Sequence, residues 1–396
     1  EAVEQKHHDS PHILFARALV LTQAGAREPA LDFAHRARLL RPESIQTTLL
    51  EAKILTDLNR NAEAAHLLAG AVKIRPESQS LRLNYARSLI RAQDMKGAER
   101  EFGTLVAKYP SDSSLRLGLA LIAFENHNDV LARSELDTLS DSEEHSDEAY
   151  FYLGKLAQRQ ERLDDAIAAY ESVPPGPHFM QAMAEISNLL IQRGQTAESH
   201  RRFNEARARL PEQRLPLFQL EAELLSARKD PDGARAILDE ALQQSPGNAH
   251  LLLSRALVAE RQNQMDQFEA DVREVLRTEP NNASALNALG YTLLERTDRI
   301  DEAEASILRA YALKPNDPAI LDSLGWLNFK RGKTDEALQY LRQAYKMFPD
   351  DEIAAHLGEV LWVSGQRDEA RRLWRDALRM HPKSEHLPRT RLRLDP

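Results

Sequence analysis

Apolar residues recur at spacings of three and four along almost the whole chain, in runs of about a dozen residues. That spacing places them on one side of a helix. The runs come in pairs. A short polar turn, such as RGKTD at 331–335, separates the two runs of a pair, and a proline separates most pairs. Pro42, Pro76 and Pro110, and then Pro211, Pro246, Pro280, Pro315, Pro349 and Pro382, succeed one another at 33 to 35 residues. The pattern predicts two helices, A and B, repeated along the chain. Asp317 before Pro318, and Asp9 or Ser10 before Pro11, read as N-caps followed by proline at the first helical position.

Aligned on Pro315 and Pro349, a unit of 34 residues emerges. Leu321, Leu324, Gly325, Ala337, Leu341, Ala344 and Pro349 take slots 4, 7, 8, 20, 24, 27 and 32. Leu286, Leu289, Gly290, Ala303, Ile307, Ala310 and Pro315 fill them one repeat earlier, with one residue inserted. Ala52, Ala64, Leu68, Ala71 and Pro76 match near the start, and Leu357, Gly358, Ala370, Trp374, Ala377 and Pro382 near the end. Eleven such units fit between Pro11 and Pro382. Slot 8 is Gly or Ala, as at Gly325, Ala86 and Ala256, and is expected to face the small residue at slot 20 so that A and B approach closely. Trp374, at slot 24, is expected in the core.

Nearly the whole chain thus resembles the tetratricopeptide repeat family. The resemblance implies an all-α fold, a right-handed superhelical solenoid of about eleven helix-turn-helix repeats. One hairpin cannot bury its apolar stripe alone, so stability has to come from stacked neighbours. Residues 1–10 read as the tail of a truncated preceding helix, 11–173 as repeats one to five, and 174–178 (PPGPH) as an irregular junction. Residues 179–382 read as repeats six to eleven, and 383–396 as a capping segment with Leu387, Leu392 and Leu394 turned inward.

Composition adds limits. Cysteine is absent, which excludes disulfides and thiolate chemistry, and no apolar run reaches the roughly 20 residues of a membrane span. The formal charge is −9, and residues 101–200 carry 17 acids against 7 bases. Nine of those acids are Glu125, Asp129, Glu135, Asp137, Asp141, Glu143, Glu144, Asp147 and Glu148, a candidate surface for a basic partner. A nucleic-acid partner is not expected, because phosphate binding needs clustered Lys and Arg. The GKT at 332–334 lacks the upstream glycine of a phosphate loop, since position 327 is Leu. No HExxH, GxSxG or dinucleotide fingerprint occurs, and His7–His8 lie in a polar terminus. His356 and Glu359, one turn apart, read as solvated helix residues. No catalytic residue, cofactor or metal is expected, and the chain reads as a non-enzyme.

The repeat register assigns a candidate partner-binding face. In tetratricopeptide arrays the concave surface is lined by slots 2, 5, 9, 12 and 13 of helix A. Carried over, these are Asn287, Tyr291 and Glu295 in repeat nine, then Asp322, Trp326, Phe329 and Lys330 in repeat ten, and Glu359 and Trp362 in repeat eleven. Tyr291, Trp326, Phe329 and Trp362 would make an aromatic stripe there, and such rings are enriched at binding hot spots.

The run LNALGYTLLERTDRIDEA, with DPAILDSLGWLNFKRGKTDEALQYLRQA and EIAAHLGEVLWVSGQRDEARRLWRDAL, carries a narrower resemblance. It is similar to bacterial outer-membrane tetratricopeptide lipoproteins, nearest to the lipoprotein adaptors of the periplasmic carboxyl-terminal processing protease. That implies a periplasmic scaffold, held at the outer membrane by a lipid anchor upstream of this chain. It would bind the protease and help present cell-wall hydrolases. A generic peptide-holding scaffold or chaperone, and the regulatory array of a truncated enzyme, stay open as alternatives.

Overall fold

The structure is a computed structural model that describes residues 10–394. Among the described residues there are 23 α-helices, one 3-10 turn at Pro211–Gln213 and no strand. Twenty-two of the helices form eleven A/B pairs, from Pro11–Gln23 with Arg27–Leu40 to Asp351–Val363 with Arg367–Met380. The last, His386–Leu394, stands alone in sequence after them. The expected tail at 1–10 and the Asp9 cap lie outside the described residues, apart from Ser10. Ser10 is extended, but its side chain makes no cap bond.

Local chemistry sets the ends of these helices. Helix A is capped by a side-chain oxygen that accepts a backbone N–H two or three residues on: Ser44, Ser78, Asp112, Asn248, Asn282, Asp317 and Asp350 all do this. The A-to-B turn needs one residue in the left-handed region. It is Gly25, Asn59, Gln93, His127, Glu161, Gly194, Lys229, Asn263, Gly332 and Gly365 in ten of the hairpins. Repeat nine is the exception. Three residues still separate its two helices, helix A takes up the inserted residue, and Thr297 ends helix Ala283–Arg296 in an extended conformation instead.

Two compact blocks divide between Ser199 and His200, inside helix Thr196–Arg209. Residues 173–178 are non-helical and lie within the first block. In each block apolar stripes from neighbouring hairpins close over one another. Phe102 and Leu105 of repeat three, for example, pack with Leu115 and Leu119 of repeat four. In the second block Leu321 and Ala344 of repeat ten pack with Ile353 of repeat eleven. Leu321 is fully buried, which contributes about 2 kcal/mol relative to leaving it in water.

The slot-8 seam is tight, but for a reason beyond the one expected. A Cβ on Gly325 would lie 2.6 Å from Leu341 Cγ and 3.2 Å from the Ala337 carbonyl oxygen. The glycine therefore makes room mainly for the large slot-24 side chain, with the slot-20 backbone behind it. Gly290 does the same for Ile307, Gly154 for Tyr170 and Gly358 for Trp374. Trp374 is in the core, 3% exposed.

The terminal helix corrects one expectation. Leu387 is 2% exposed, but Leu392 is 70% exposed. Five residues are about 500° of helical rotation, so the two leucines cannot share a face.

Candidate functional site

Three successive A helices of the second block carry the candidate residues: Ala283–Arg296, Pro318–Lys330 and Asp351–Val363. A polar cluster ties them together. His356 Nδ1 donates to Asp322 Oδ2 at 2.9 Å. The Tyr291 hydroxyl donates to Glu352 Oε1 at 2.7 Å, and its oxygen lies 3.3 Å from His356 Nε2. A hydroxyl has one proton to give. With the hydroxyl hydrogen directed at Glu352, the Tyr291 oxygen is left as an acceptor facing Nε2, an arrangement that favours the imidazolium.

The electrostatics agree. Burial by itself would lower the His356 pKa. The charge and hydrogen bond of Asp322, helped by Glu352 and Glu295, outweigh it, and the pKa lies above the ordinary histidine value. Burial, and then the nearby Glu352 carboxylate, push the Tyr291 phenol far up, so it stays protonated.

Trp326 sits inside this cluster. Its indole stacks on the His356 ring with centroids 4.3 Å apart, and Phe329 lies 5.2 Å away. Its Nε1–H donates to Glu295 Oε1 at 2.6 Å, and Lys330 Nζ lies 3.3 Å from the same carboxylate. Burial would raise the Glu295 pKa, but the indole bond and Lys330 prevail and hold it below the usual carboxylate range.

The expected exposed stripe is therefore not what the structure shows. Trp326 is 4% exposed, covered by His356 of the next repeat and held by Glu295 of the previous one. It packs between neighbouring A helices, not between the two helices of its own hairpin. Tyr291 and Phe329 are half-buried around it. Trp362 belongs to a separate cluster, stacked on Trp374 at 5.8 Å with the Arg367 and Arg371 guanidinium groups 5.1 Å from its ring.

The remaining expected residues are placed as follows. Asn287 is half-buried and its Oδ1 has no hydrogen-bond partner. Asp322 is buried against His356. Glu359, read as solvated, is 7% exposed and accepts from Arg393 Nη2 at 2.5 Å. His356, also read as solvated, is 8% exposed and is the hub that sequence reasoning missed. Its available signal was distance along the chain: Asp322 lies one repeat length upstream.

The acidic run of the first block is largely engaged within the chain. Asp129 accepts from Arg159 and Gln160, Glu135 from Arg116, and Glu144 from Ser113 Oγ. Asp147 meets His178, Glu148 meets His145, and Asp137 lies 3.7 Å from Arg133. The Asp129 and Asp147 bonds reach the next repeat, whereas Glu135–Arg116, Glu148–His145 and Asp137–Arg133 stay within one. Glu125, Asp141 and Glu143 are exposed. Among the described residues no group of His, Asp and Glu side chains is arranged to hold a metal ion.

Comparison with known proteins adds the following. Sequence profiles described as tetratricopeptide repeat match residues 55–122 and 104–383. The TPR repeat-containing protein PA4667 of Pseudomonas aeruginosa is 40% identical over 355 residues, covering 90% of this chain. The chain spans 60% of that relative's length. Among solved structures, yeast Tom70 is 14% identical, with 96% of this chain and 95% of that chain covered and a TM-score of 0.47. The thermophilic TPR protein TTC0263 of Thermus thermophilus is 20% identical, with 44% of this chain and 93% of that chain covered and a TM-score of 0.39.

Proposed function

This chain belongs to the tetratricopeptide repeat family, and from that premise we propose that it is a noncatalytic adaptor for a periplasmic carboxyl-terminal processing protease. It binds the protease with one surface and cell-wall hydrolases with another, and so raises the effective concentration of substrate at the protease. A short tether between two sites sets that concentration near the millimolar range. In the longer protein a lipid anchor upstream of this chain holds it at the outer membrane. The narrower resemblance of the C-terminal repeats, quoted above, supports this reading, as does the extended match to a relative that itself carries these repeats.

The observation that carries the proposal is the cluster of Tyr291, Asp322, Trp326, Glu352 and His356. It fixes three A helices to one another through side chains that are satisfied before any partner arrives. A surface fixed in advance loses little conformational freedom on binding, which favours a specific partner.

The test is capture from a bacterial envelope extract on the immobilised chain, followed by identification of the bound proteins. Recovery of a carboxyl-terminal processing protease, retained after a wash at physiological salt, is the expected result. Repeated recovery of other proteins without it rejects the assignment.

A further inference from the structure

Helix His386–Leu394 is placed unlike the helices before it. From repeat eight on, each helix A packs on its own helix B and next on the helix B before it. The terminal helix packs chiefly on helix A of repeat eleven, Asp351–Val363, and only lightly on Arg367–Met380. It thereby lies on the face to which the register assigns the partner. Leu387 is the buried anchor. Arg393 supplies the cation that meets the buried Glu359 carboxylate, while its own side chain is 58% exposed. Ahead of the helix, Glu385 reaches Lys229 in the turn of repeat seven at 3.1 Å, with both side chains open to solvent.

The charges are complementary at the point of contact. Glu359 of repeat eleven is the acid that the terminal helix meets, through Arg393, and HLPRTRLRL carries three arginines and no acid. The attachment is also weak. Nine residues are too few for a helix to persist by itself. Exposed ion pairs such as Lys229–Glu385 contribute little, and one buried leucine is the main apolar hold. An element held this way opens at low free-energy cost.

We propose that residues 386–394 are a built-in ligand of the A-helix face of repeats ten and eleven, and that the external partner displacing them presents a basic helical segment with a leucine followed six residues on by an arginine. This deepens the adaptor reading and rests on it: the terminal helix holds the face until a partner segment of the same chemistry competes for it.

The experiment uses the full chain and a fluorescent peptide, HLPRTRLRL, as the probe. The tethered copy competes with the peptide, so weakening the tethered copy raises the apparent affinity. Leu387→Asp and, separately, Arg393→Glu are each expected to tighten peptide binding at least about tenfold over the unsubstituted chain. Adding Glu359→Lys to either is expected to abolish the gain. Far-UV circular dichroism and hydrogen exchange of 351–380 report whether each variant keeps repeat eleven folded, and Arg393→Glu, a surface change, serves if Leu387→Asp does not. Equal peptide binding by all folded variants overturns the proposal, as does a gain that survives Glu359→Lys. Protease captured by the unsubstituted chain together with no peptide binding by the freed variants rejects the built-in ligand alone. Peptide binding with no protease captured rejects the protease assignment alone.

Discussion

Replacing Gly358 with alanine adds one methyl group, and the structure gives its cost. The new Cβ would lie 1.9 Å from Trp374 Nε1, 2.4 Å from Cε2 and 2.7 Å from Cδ1. Ordinary contact begins near 3.4 Å, so the indole would have to withdraw by more than an ångström. It cannot withdraw freely, because the ring is 3% exposed and stacked against Trp362. Overpacking a core usually costs 1–3 kcal/mol, and an overlap this deep places Gly358→Ala at about 3 kcal/mol or above. Helix propensity works in the opposite direction by at most about 1 kcal/mol, so packing decides the sign. Gly70→Ala is the control. That glycine is also inside a helix, but its added Cβ meets nothing within 4 Å, so propensity alone acts and the variant gains about 0.5–1 kcal/mol. The assay is urea denaturation followed by circular dichroism, with hydrogen exchange of Asp351–Val363 to localise the loss, since repeats can unfold separately. Gly358→Ala at or above unsubstituted stability refutes the seam argument. So does equal destabilisation by the two alanines.

Other expectations follow from single residues. His356 has a raised folded-state pKa, so its protonation stabilises the fold fully below about pH 6.5 and that contribution is lost as pH rises through the folded value. Hydrogen exchange in Asp351–Val363 should therefore be slower at about pH 6 than at about pH 9, after correction for intrinsic rates, and His356→Gln should remove that difference; the same pH slope in the variant defeats the assignment. Trp326→Ala removes a buried ring and its bond to Glu295, for an expected loss of about 3–5 kcal/mol in urea melts; a loss under about 1 kcal/mol contradicts the observed burial. Glu161 holds a φ of +59°, which a side chain other than glycine adopts at a cost, so Glu161→Gly should stabilise the fold by about 0.5–1 kcal/mol. An unchanged denaturation midpoint removes the strain argument.

The eleven hairpins were legible because their signal is periodic: prolines, small seam residues and apolar stripes recur at a fixed interval. The turn of repeat nine was legible only as an insertion, since no glycine or asparagine marks the extended Thr297 that ends its helix A. The site was legible in slot but not in environment. The register placed Trp326 on the A face, yet its burial depends on Glu295 and His356, each about one repeat away along the chain. The pairing within the acidic run was hidden by distance along the chain as well. Arg116, Arg159 and His178, which meet Glu135, Asp129 and Asp147, are 19 to 31 positions from their partners, so the stretch from Glu125 to Glu148 looks unpaired when read by itself. Leu392 was a plain error of rotation, visible from the five-residue step from Leu387.

The central claim is that the A helices of repeats nine to eleven form the partner surface. Its most direct test is hydrogen exchange across the full chain with and without the protein captured from the envelope extract. Protection concentrated in Ala283–Arg296, Pro318–Lys330 and Asp351–Val363 is the result this account predicts. Protection confined to the B helices Ile300–Leu313, Thr334–Met347 and Arg367–Met380 would contradict it.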